Sequence, residues 1–177
     1  MAGHSHWKQI KIKKAVTDKK KGKEFSKLLA AISIAAKSEP NPEFNPRLRT
    51  AVNKAKEVQI PQENIERAIQ KSKDSSQSLE EITAECYGPG GIAILIEAIT
   101  DNSNRTINEI KLVLKDFDGK LGEPGSVKWA FNKKIDGGWE SKFPQEISQE
   151  DGERVQDIID KLNDLNDVQN VYTNAKS

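Results

Sequence analysis

The sequence predicts an α+β protein in which a basic, all-helical N-terminal domain over residues 1–75 precedes a small α/β domain over residues 79–177. Apolar residues recur at the spacing of helices up to residue 73, whereas the two-residue alternation of strands appears after residue 79. The charge also changes sign, because residues 1–78 hold 17 basic and 8 acidic side chains and residues 79–177 hold 11 and 19. The net charge of +1 is therefore the sum of +9 and −8.

Four helices are predicted in the first domain. Ser5 can cap the first helix, and residues 19–23, which include Gly22, are expected to end it. The apolar residues of this helix are Ile12, Ala15 and Val16. A second helix with a clear amphipathic pattern follows. Its apolar stripe consists of Phe25, Leu28, Leu29, Ile32 and Ala36.

Three prolines between residues 38 and 46 predict a rigid turn, because proline has no amide hydrogen with which to continue a helix. Asn45 is expected to cap a third helix that begins with Pro46, and a fourth helix should follow Pro61. The residues predicted to be buried in these two helices are Leu48, Val52, Ala55, Ile65, Ala68 and Ile69.

The second domain is predicted to begin after a polar linker over residues 74–78. In its first strand, Ile82, Ala84 and Cys86 alternate with polar residues, and Glu85 belongs to the face opposite theirs. A hairpin at residues 88–91 should lead into an apolar, interior strand over residues 92–99.

The rest of the domain is predicted to continue as helix, strand, helix and strand. Caps at residues 101–104 precede the first of these helices, and Val127, Trp129 and Phe131 should share one face of the next strand. Ser148 and Asp151 form a predicted capping pair for the last helix, and a strand over residues 168–172 ends the domain. This order favours a mostly antiparallel sheet with helices on one face.

Several classes of protein are disfavoured by the sequence. No apolar run approaches the roughly 20 residues that span a bilayer, and the N-terminus lacks the apolar segment of a signal peptide, so we expect a cytoplasmic protein without a membrane partner. Cys86 is the only cysteine, which excludes an internal disulfide and a cysteine metal cluster. No nucleophile has an adjacent base, so we expect no enzyme activity, no cofactor and no small-molecule substrate.

Four local motifs suggest a functional site, and each also has an ordinary structural interpretation. Residues 88–91 resemble a phosphate-binding loop, but the Lys-Ser/Thr of such a loop is missing, which favours the hairpin. His4 and His6 lack a third metal ligand and suit phosphate contacts or no contact at all. Trp7 fits stacking on a base and anchoring of the helix equally well. The polar residues Asp101, Asn102, Asn104 and Arg105 are expected to act as helix caps and not in catalysis.

The surplus of lysine in the first domain favours nucleic acid as its partner, because a local positive field attracts phosphates even when the whole chain is nearly neutral. Two alternatives remain open: the lysines only solvate the helices, or the acidic second half docks a basic protein. The candidate phosphate contacts are Lys8, Lys11, Lys13, Lys14, Lys19, Lys20, Lys21, Lys23, Arg47, Arg49 and Lys54, and the candidates for closer contact are His4, His6 and Trp7.

Six blocks of the sequence resemble the YebC-type family in order and over nearly the whole chain. The blocks are MAGHSHW, GKEFSKLL, NPRLRTAVNKAKEVQIPQENIERAI, YGPGGIAILIEAITDNSNRT, GKLGEPGSVKWAF and DLNDVQNVYTN. The resemblance implies a helical N-terminal domain followed by α/β material, with no enzyme activity and no cofactor.

Members of this family are described as DNA-binding transcriptional regulators, and some resemble translation factors or translational activators. The resemblance therefore implies DNA or ribosomal RNA as the partner, with the ribosome as an alternative site of action. One departure concerns a third domain. Family members carry an additional α/β segment before the last helix, whereas residues 132–144 bridge that interval here.

Overall fold

The computed structural model describes residues 3–74 and 78–176, and for residues 3–13 it describes the backbone alone. The chain divides into two compact units, Met1–Gln77 and Ser78–Ser177. Within the described residues, none of the helices combines the length and the apolar composition that a membrane span requires.

Three helices form the first unit: α1, Gly3–Ala36; α2, Pro46–Glu57; and α3, Gln62–Lys71. The C-terminal part of α1 packs against both α2 and α3. Their shared core contains Ile32, Ala35, Ala36, Leu48, Val52, Ala55, Ile60, Ile65 and Ala68. The amphipathic patterns of residues 25–36, 46–57 and 62–71 thus predicted the buried faces correctly.

The predicted break at residues 19–23 is wrong, because α1 runs through them without interruption. A glycine inside a helix costs only about 1 kcal/mol relative to alanine, and the neighbouring lysines are good helix formers. The hydroxyl of Ser26 donates a 3.0 Å hydrogen bond to the carbonyl of Gly22, one helical turn earlier. Gly22 is therefore accommodated as one weak position in a 34-residue helix.

The predicted cap of α2 is confirmed. Asn45 Oδ1 accepts a 2.9 Å hydrogen bond from the backbone N–H of Leu48. Its Nδ2 donates to the carbonyls of Ala35 and Glu39 at 2.9 and 2.7 Å. One buried amide thus joins the end of α1, the proline-rich turn and the start of α2.

The second unit contains two long helices, α4 at Ser103–Lys115 and α5 at Gln149–Asn163. Its strands are β1 Glu80–Tyr87, β2 Ala93–Thr100, β3 Lys120–Leu121, β4 Phe131–Lys133, β5 Trp139–Ser141, β6 Gln145–Glu146, β7 Val168–Thr173 and β8 Ala175–Lys176. Short 3-10 turns occupy Pro89–Gly91 and Lys128–Ala130.

The main sheet has the order β3-β1-β2-β7, and every neighbouring pair is antiparallel. Strand β2 lies inside this sheet, as its apolar sequence predicted, and the turn at residues 88–91 joins it to β1 as the expected hairpin. Helices α4 and α5 pack on the same side of the sheet. The predicted α+β class, with a mostly antiparallel sheet and helices on one face, is confirmed.

The opposite face of the sheet is covered by a smaller layer. This layer contains the 3-10 turn at Lys128–Ala130 and the β4–β5 hairpin. Its core consists of Ala93, Leu95, Val127, Ala130 and Phe131. Between the turn of that hairpin and α5 there are only the short strands β5 and β6. The additional α/β segment implied by the family resemblance is therefore missing from this interval.

One predicted strand is wrong. Val127 and Phe131 are buried as expected, but residues 128–130 form the 3-10 turn, which leaves Trp129 63% exposed. The cause lies outside the local sequence, because the carboxylate of Glu85 binds the backbone N–H groups of Val127 and Lys128. Those donors are then unavailable to a neighbouring strand.

Candidate nucleic-acid interface

The basic N-terminal part of α1 is the first component of the candidate interface. Every residue from position 14 to position 22 is exposed, including Lys14, Lys19, Lys20 and Lys21, whereas Lys23 is half-buried. None of the four exposed lysines takes part in a salt bridge within the part of the chain that the structure describes. These ammonium groups therefore remain accessible to phosphates.

The helix repeat places these lysines around α1. Lys14 and Lys21 lie seven residues apart on one side, and Lys19 and Lys23 lie four apart on another. Ala15 and Val16, which the sequence suggested as part of an apolar stripe, are exposed as well, and Val16 retains 51% of its surface. This part of α1 is thus an exposed helix with lysines on several sides and is not an amphipathic helix.

Six of the residues predicted for the site belong to the beginning of α1, where only the backbone is described. They are His4, His6, Trp7, Lys8, Lys11 and Lys13. Their main chain is helical and continuous with the exposed lysine segment. Their side chains lie outside the described residues, so their predicted contacts stay predictions.

Helix α2 carries the other three predicted residues, Arg47, Arg49 and Lys54, and all three are exposed. Arg47 and Lys54 are seven residues apart and share one side of the helix. Arg49 differs, because its guanidinium donates to the carbonyls of Pro42 and Glu43 at 3.1 and 2.7 Å. Arg49 therefore braces the proline-rich turn, which makes it a weaker candidate for a phosphate contact than Lys54.

Glu85 is the main polar feature of the second unit that sequence reasoning missed. Alternation along β1 assigned it to the outer face, yet only 7% of its surface is exposed. Its carboxylate accepts hydrogen bonds from the backbone N–H groups of Gly125, Val127 and Lys128 at 2.6, 2.8 and 2.8 Å. Gly125 adopts a φ of +87°, a conformation that favours glycine, so the glycine-rich loop is the only sequence signal for this contact.

The surroundings of Glu85 favour its charged form. Burial alone would raise the pKa of this carboxyl group, but the three backbone hydrogen bonds and the charge of Lys128 outweigh burial, and its pKa lies below the ordinary value of 4.5. Glu85 therefore acts as a fixed anionic cap for the turn at residues 128–130.

Of the polar residues around Asp101, Asn102 acts as a helix cap, as the ordinary interpretation held. Asn102 caps α4 by accepting a 3.0 Å hydrogen bond from the N–H of Arg105. The guanidinium of Arg105 bridges Asp101 and Asp167 at 2.8 and 2.7 Å. Thr106 donates to the same Asp167 carboxylate at 2.6 Å, so this network ties the start of α4 to the loop before β7.

A metal or thiolate site has little support among the residues that the structure describes. No group of three or more His, Cys, Asp or Glu side chains there has the arrangement of a metal site. Burial raises the pKa of the Cys86 thiol to about 12, with a smaller contribution from the charge of Glu85, so this cysteine is a protonated core residue.

Comparison with known proteins relates both units to one family. The model of the TACO1/YebC N-terminal domain matches residues 5–75, and the model of the TACO1/YebC second and third domain matches residues 79–136. A protein from Aquifex aeolicus named "Probable transcriptional regulatory protein" is 47% identical over 154 residues, which cover 85% of this chain and 61% of that protein. A protein of the same name from Trichormus variabilis is 53% identical over 139 residues, which cover 76% of this chain and 55% of that protein.

The chain thus spans a little more than half the length of these relatives. A solved crystal structure, that of a conserved hypothetical protein from Aquifex aeolicus, resembles the fold with a TM-score of 0.81 and 30% sequence identity. The likeness covers 88% of this chain and 90% of that one. With both units matched over most of their length, the chain belongs to the TACO1/YebC family.

Proposed function

We propose that this chain is a nucleic-acid-binding regulator of gene expression that acts in transcription, and that the exposed lysines of α1 bind the phosphates of duplex DNA. The observation that carries the proposal is the segment from Lys14 to Lys21, which is exposed on all sides and has no salt bridge to its four lysines within the described residues. The name of the relatives from Aquifex aeolicus and Trichormus variabilis supports transcription as the process.

The exposed ammonium groups of α1 are sufficient for binding to phosphates. Each ammonium group that approaches a phosphate releases a condensed counterion from DNA, and the released ions supply most of the affinity. Such contacts position a protein on the duplex without reading its sequence. The proposed activity is therefore non-catalytic binding, with α1 as the main contact and Arg47 and Lys54 of α2 as further cations.

Sequence-specific readout has less support. Base reading in the major groove uses bidentate Arg, Asn or Gln side chains on a helix that fits the groove. On α2, Arg49 is engaged with the proline-rich turn, and Asn53 is the exposed amide of the helix. We therefore expect affinity to depend far more on charge and salt than on the DNA sequence.

Charge replacement in α1 tests the proposal. In a quadruple variant, Lys14, Lys19, Lys20 and Lys21 are changed to Gln, and a control variant carries the two changes Lys111→Gln and Lys115→Gln on exposed positions of α4. Fluorescence anisotropy with a labelled duplex at about 0.1 M salt should show a loss of about 100-fold or more for the α1 variant and little change for the α4 variant. Equal affinity of the α1 variant and the wild type contradicts the proposal.

Sedimentation of a cell extract through a sucrose gradient tests transcription as the process. We expect the protein to leave the heavy fractions when nuclease removes DNA. Migration with ribosomes after DNA removal would instead indicate action in translation through ribosomal RNA. Capture of a basic protein partner by the quadruple variant, in the absence of any nucleic-acid binding by the wild type, would indicate a protein-interaction module.

A further inference from the structure

Two aromatic rings lie side by side on the surface of the second unit. Trp129 is 63% exposed and Phe143 is 50% exposed. Their ring centroids are 5.6 Å apart, with the ring planes inclined at 47°. Together with Lys142, whose ammonium group lies beside Phe143, they form a surface that we name the Trp129 surface. A monomeric protein normally buries such rings, so a cluster of two exposed ones needs an explanation.

Hydrogen bonds fix the Trp129 indole and the backbone beneath the Trp129 surface. Trp129 Nε1 donates a 2.8 Å hydrogen bond to the carbonyl of Ser126, so the polar edge of the indole is already satisfied. Glu85 accepts a hydrogen bond from the backbone N–H of Lys128, and the N–H of Lys142 donates to the carbonyl of Ala130 at 2.8 Å. What remains available on the indole is its face, which suits stacking more than hydrogen bonding.

The charge around these rings is opposite to that of their unit. Residues 128–142 hold four lysines and two acidic residues, in a unit that has a net charge of −8. Lys134 pairs with Asp136 at 3.2 Å, whereas the described salt bridges include none to Lys128, Lys133 or Lys142. Instead, Lys142 Nζ lies 5.3 Å from the centroid of Phe143, and Lys128 and Lys133 lie over the ring of Trp139.

We propose that the Trp129 surface stacks an unpaired base of a single-stranded nucleic acid while Lys142 faces its backbone phosphates. This inference rests on the proposed function, namely that the chain binds nucleic acid, and it adds a second contact in the other unit with a different chemistry. Exposed aromatic faces beside cations are the usual means by which proteins hold single strands, since every base offers a π-face.

A protein partner fits the same surface less well. A stable protein interface buries about 800 Å² on each side, whereas this surface has two rings and one adjacent cation. A nucleotide is small enough for two rings, and its negative charge complements the ammonium group of Lys142. A base in an intact duplex is already stacked on both sides, so the ligand must be unpaired.

Truncation of the rings tests the inference. The probes are a 12-nucleotide single-stranded DNA, an RNA of the same sequence and a blunt 20-base-pair duplex, all in the same buffer. Trp129→Ala should weaken binding of a single strand about 5- to 100-fold, and Phe143→Ala should act in the same direction. Binding of the duplex and the salt dependence of affinity should change little, because neither substitution removes a charge.

Two further variants separate stacking from general effects. Leu112→Ala removes another exposed apolar side chain, 66% exposed on α4, and should leave every affinity unchanged. Trp129→Tyr keeps an aromatic face and should recover most of the single-strand affinity. Loss of single-strand binding in Leu112→Ala, or no recovery in Trp129→Tyr, would overturn the stacking account.

The outcomes also separate this inference from the proposed function. If the wild type binds the duplex and Trp129→Ala binds both single strands as the wild type does, the stacking inference fails and the proposed function stands. If the wild type binds none of the three probes, the proposed function itself fails.

Discussion

The carboxylate of Glu85 on β1 accepts a 2.8 Å hydrogen bond from the backbone N–H of Lys128, 43 residues further along the chain. The same carboxylate also binds the N–H groups of Gly125 and Val127. Through these bonds a buried anion determines the path of the segment that presents Trp129. The local sequence alone predicted a strand there.

Removal of this anion should destabilise the second unit. In Glu85→Ala, three backbone donors lose a charged acceptor, and we expect the free energy of unfolding to fall by about 3 kcal/mol. Urea unfolding followed by tryptophan fluorescence measures it, because Trp129 and Trp139 both belong to this unit. Glu80→Ala, at an exposed position of the same strand, should cost less than about 0.5 kcal/mol. Equal costs for the two variants would contradict the role of Glu85.

The stability of the second unit should also depend on acid pH. The pKa of Glu85 in the folded state lies below its ordinary value of 4.5, so the folded state holds the charged form more strongly than the unfolded state does. This contribution is complete above about pH 4.5 and is lost as the pH falls through the lower, folded pKa.

Asp167 should add to the same effect. Burial acts to raise its pKa, but hydrogen bonds from Arg105, Thr106 and Thr100 outweigh burial and lower the pKa below 3.8. Urea unfolding between pH 6 and pH 3 should show decreasing stability for the wild type and a flatter profile for Glu85→Gln. Identical profiles would mean that Glu85 is not preferentially charged in the folded protein.

The continuity of α1 can be tested at Gly22. A Cβ atom added at this position meets nothing within 4 Å, and the residue lies inside the helix. Gly22→Ala should therefore raise helix stability by about 0.5 to 1 kcal/mol, whereas Gly22→Pro should lower it by about 3 kcal/mol. Far-ultraviolet circular dichroism during thermal unfolding measures both changes. Tolerance of proline without loss of helical signal would indicate a break at this position.

The elements that the sequence predicted well have local causes. Asn45 caps α2, and Ser148 accepts from the N–H of Asp151 at the start of α5, both within three residues. The apolar sequence of β2 likewise gave its interior position. Local rules succeed in these places because the partners are neighbours in the chain.

The elements that were predicted wrongly have distant or competing causes. At residues 128–130, a carboxylate from β1 replaced the strand pairing that alternation suggested. At Gly22, the propensity of the surrounding residues overcame the weak break signal of one glycine. Strands of two or three residues, such as β3 and β5, are too short to show a period at all.

The candidate site likewise has features that the sequence predicted and features that it did not. Exposure of Lys14, Lys19, Lys20 and Lys21 was predictable, because lysine is rarely buried. The structural role of Arg49 was not, since its partners are backbone carbonyls of the proline-rich turn. Nor could the exposure of Trp129 be predicted, because it depends on the cap from Glu85.

The salt dependence of duplex DNA binding tests the central claim most directly. If the wild type neutralises about six phosphates, a plot of the logarithm of the association constant against the logarithm of salt concentration should have a slope of about −5. Changing Lys14, Lys19, Lys20 and Lys21 to Gln should reduce the magnitude of that slope by about 3 to 4. A wild-type slope near zero, or an unchanged slope in the quadruple variant, would contradict phosphate binding by α1.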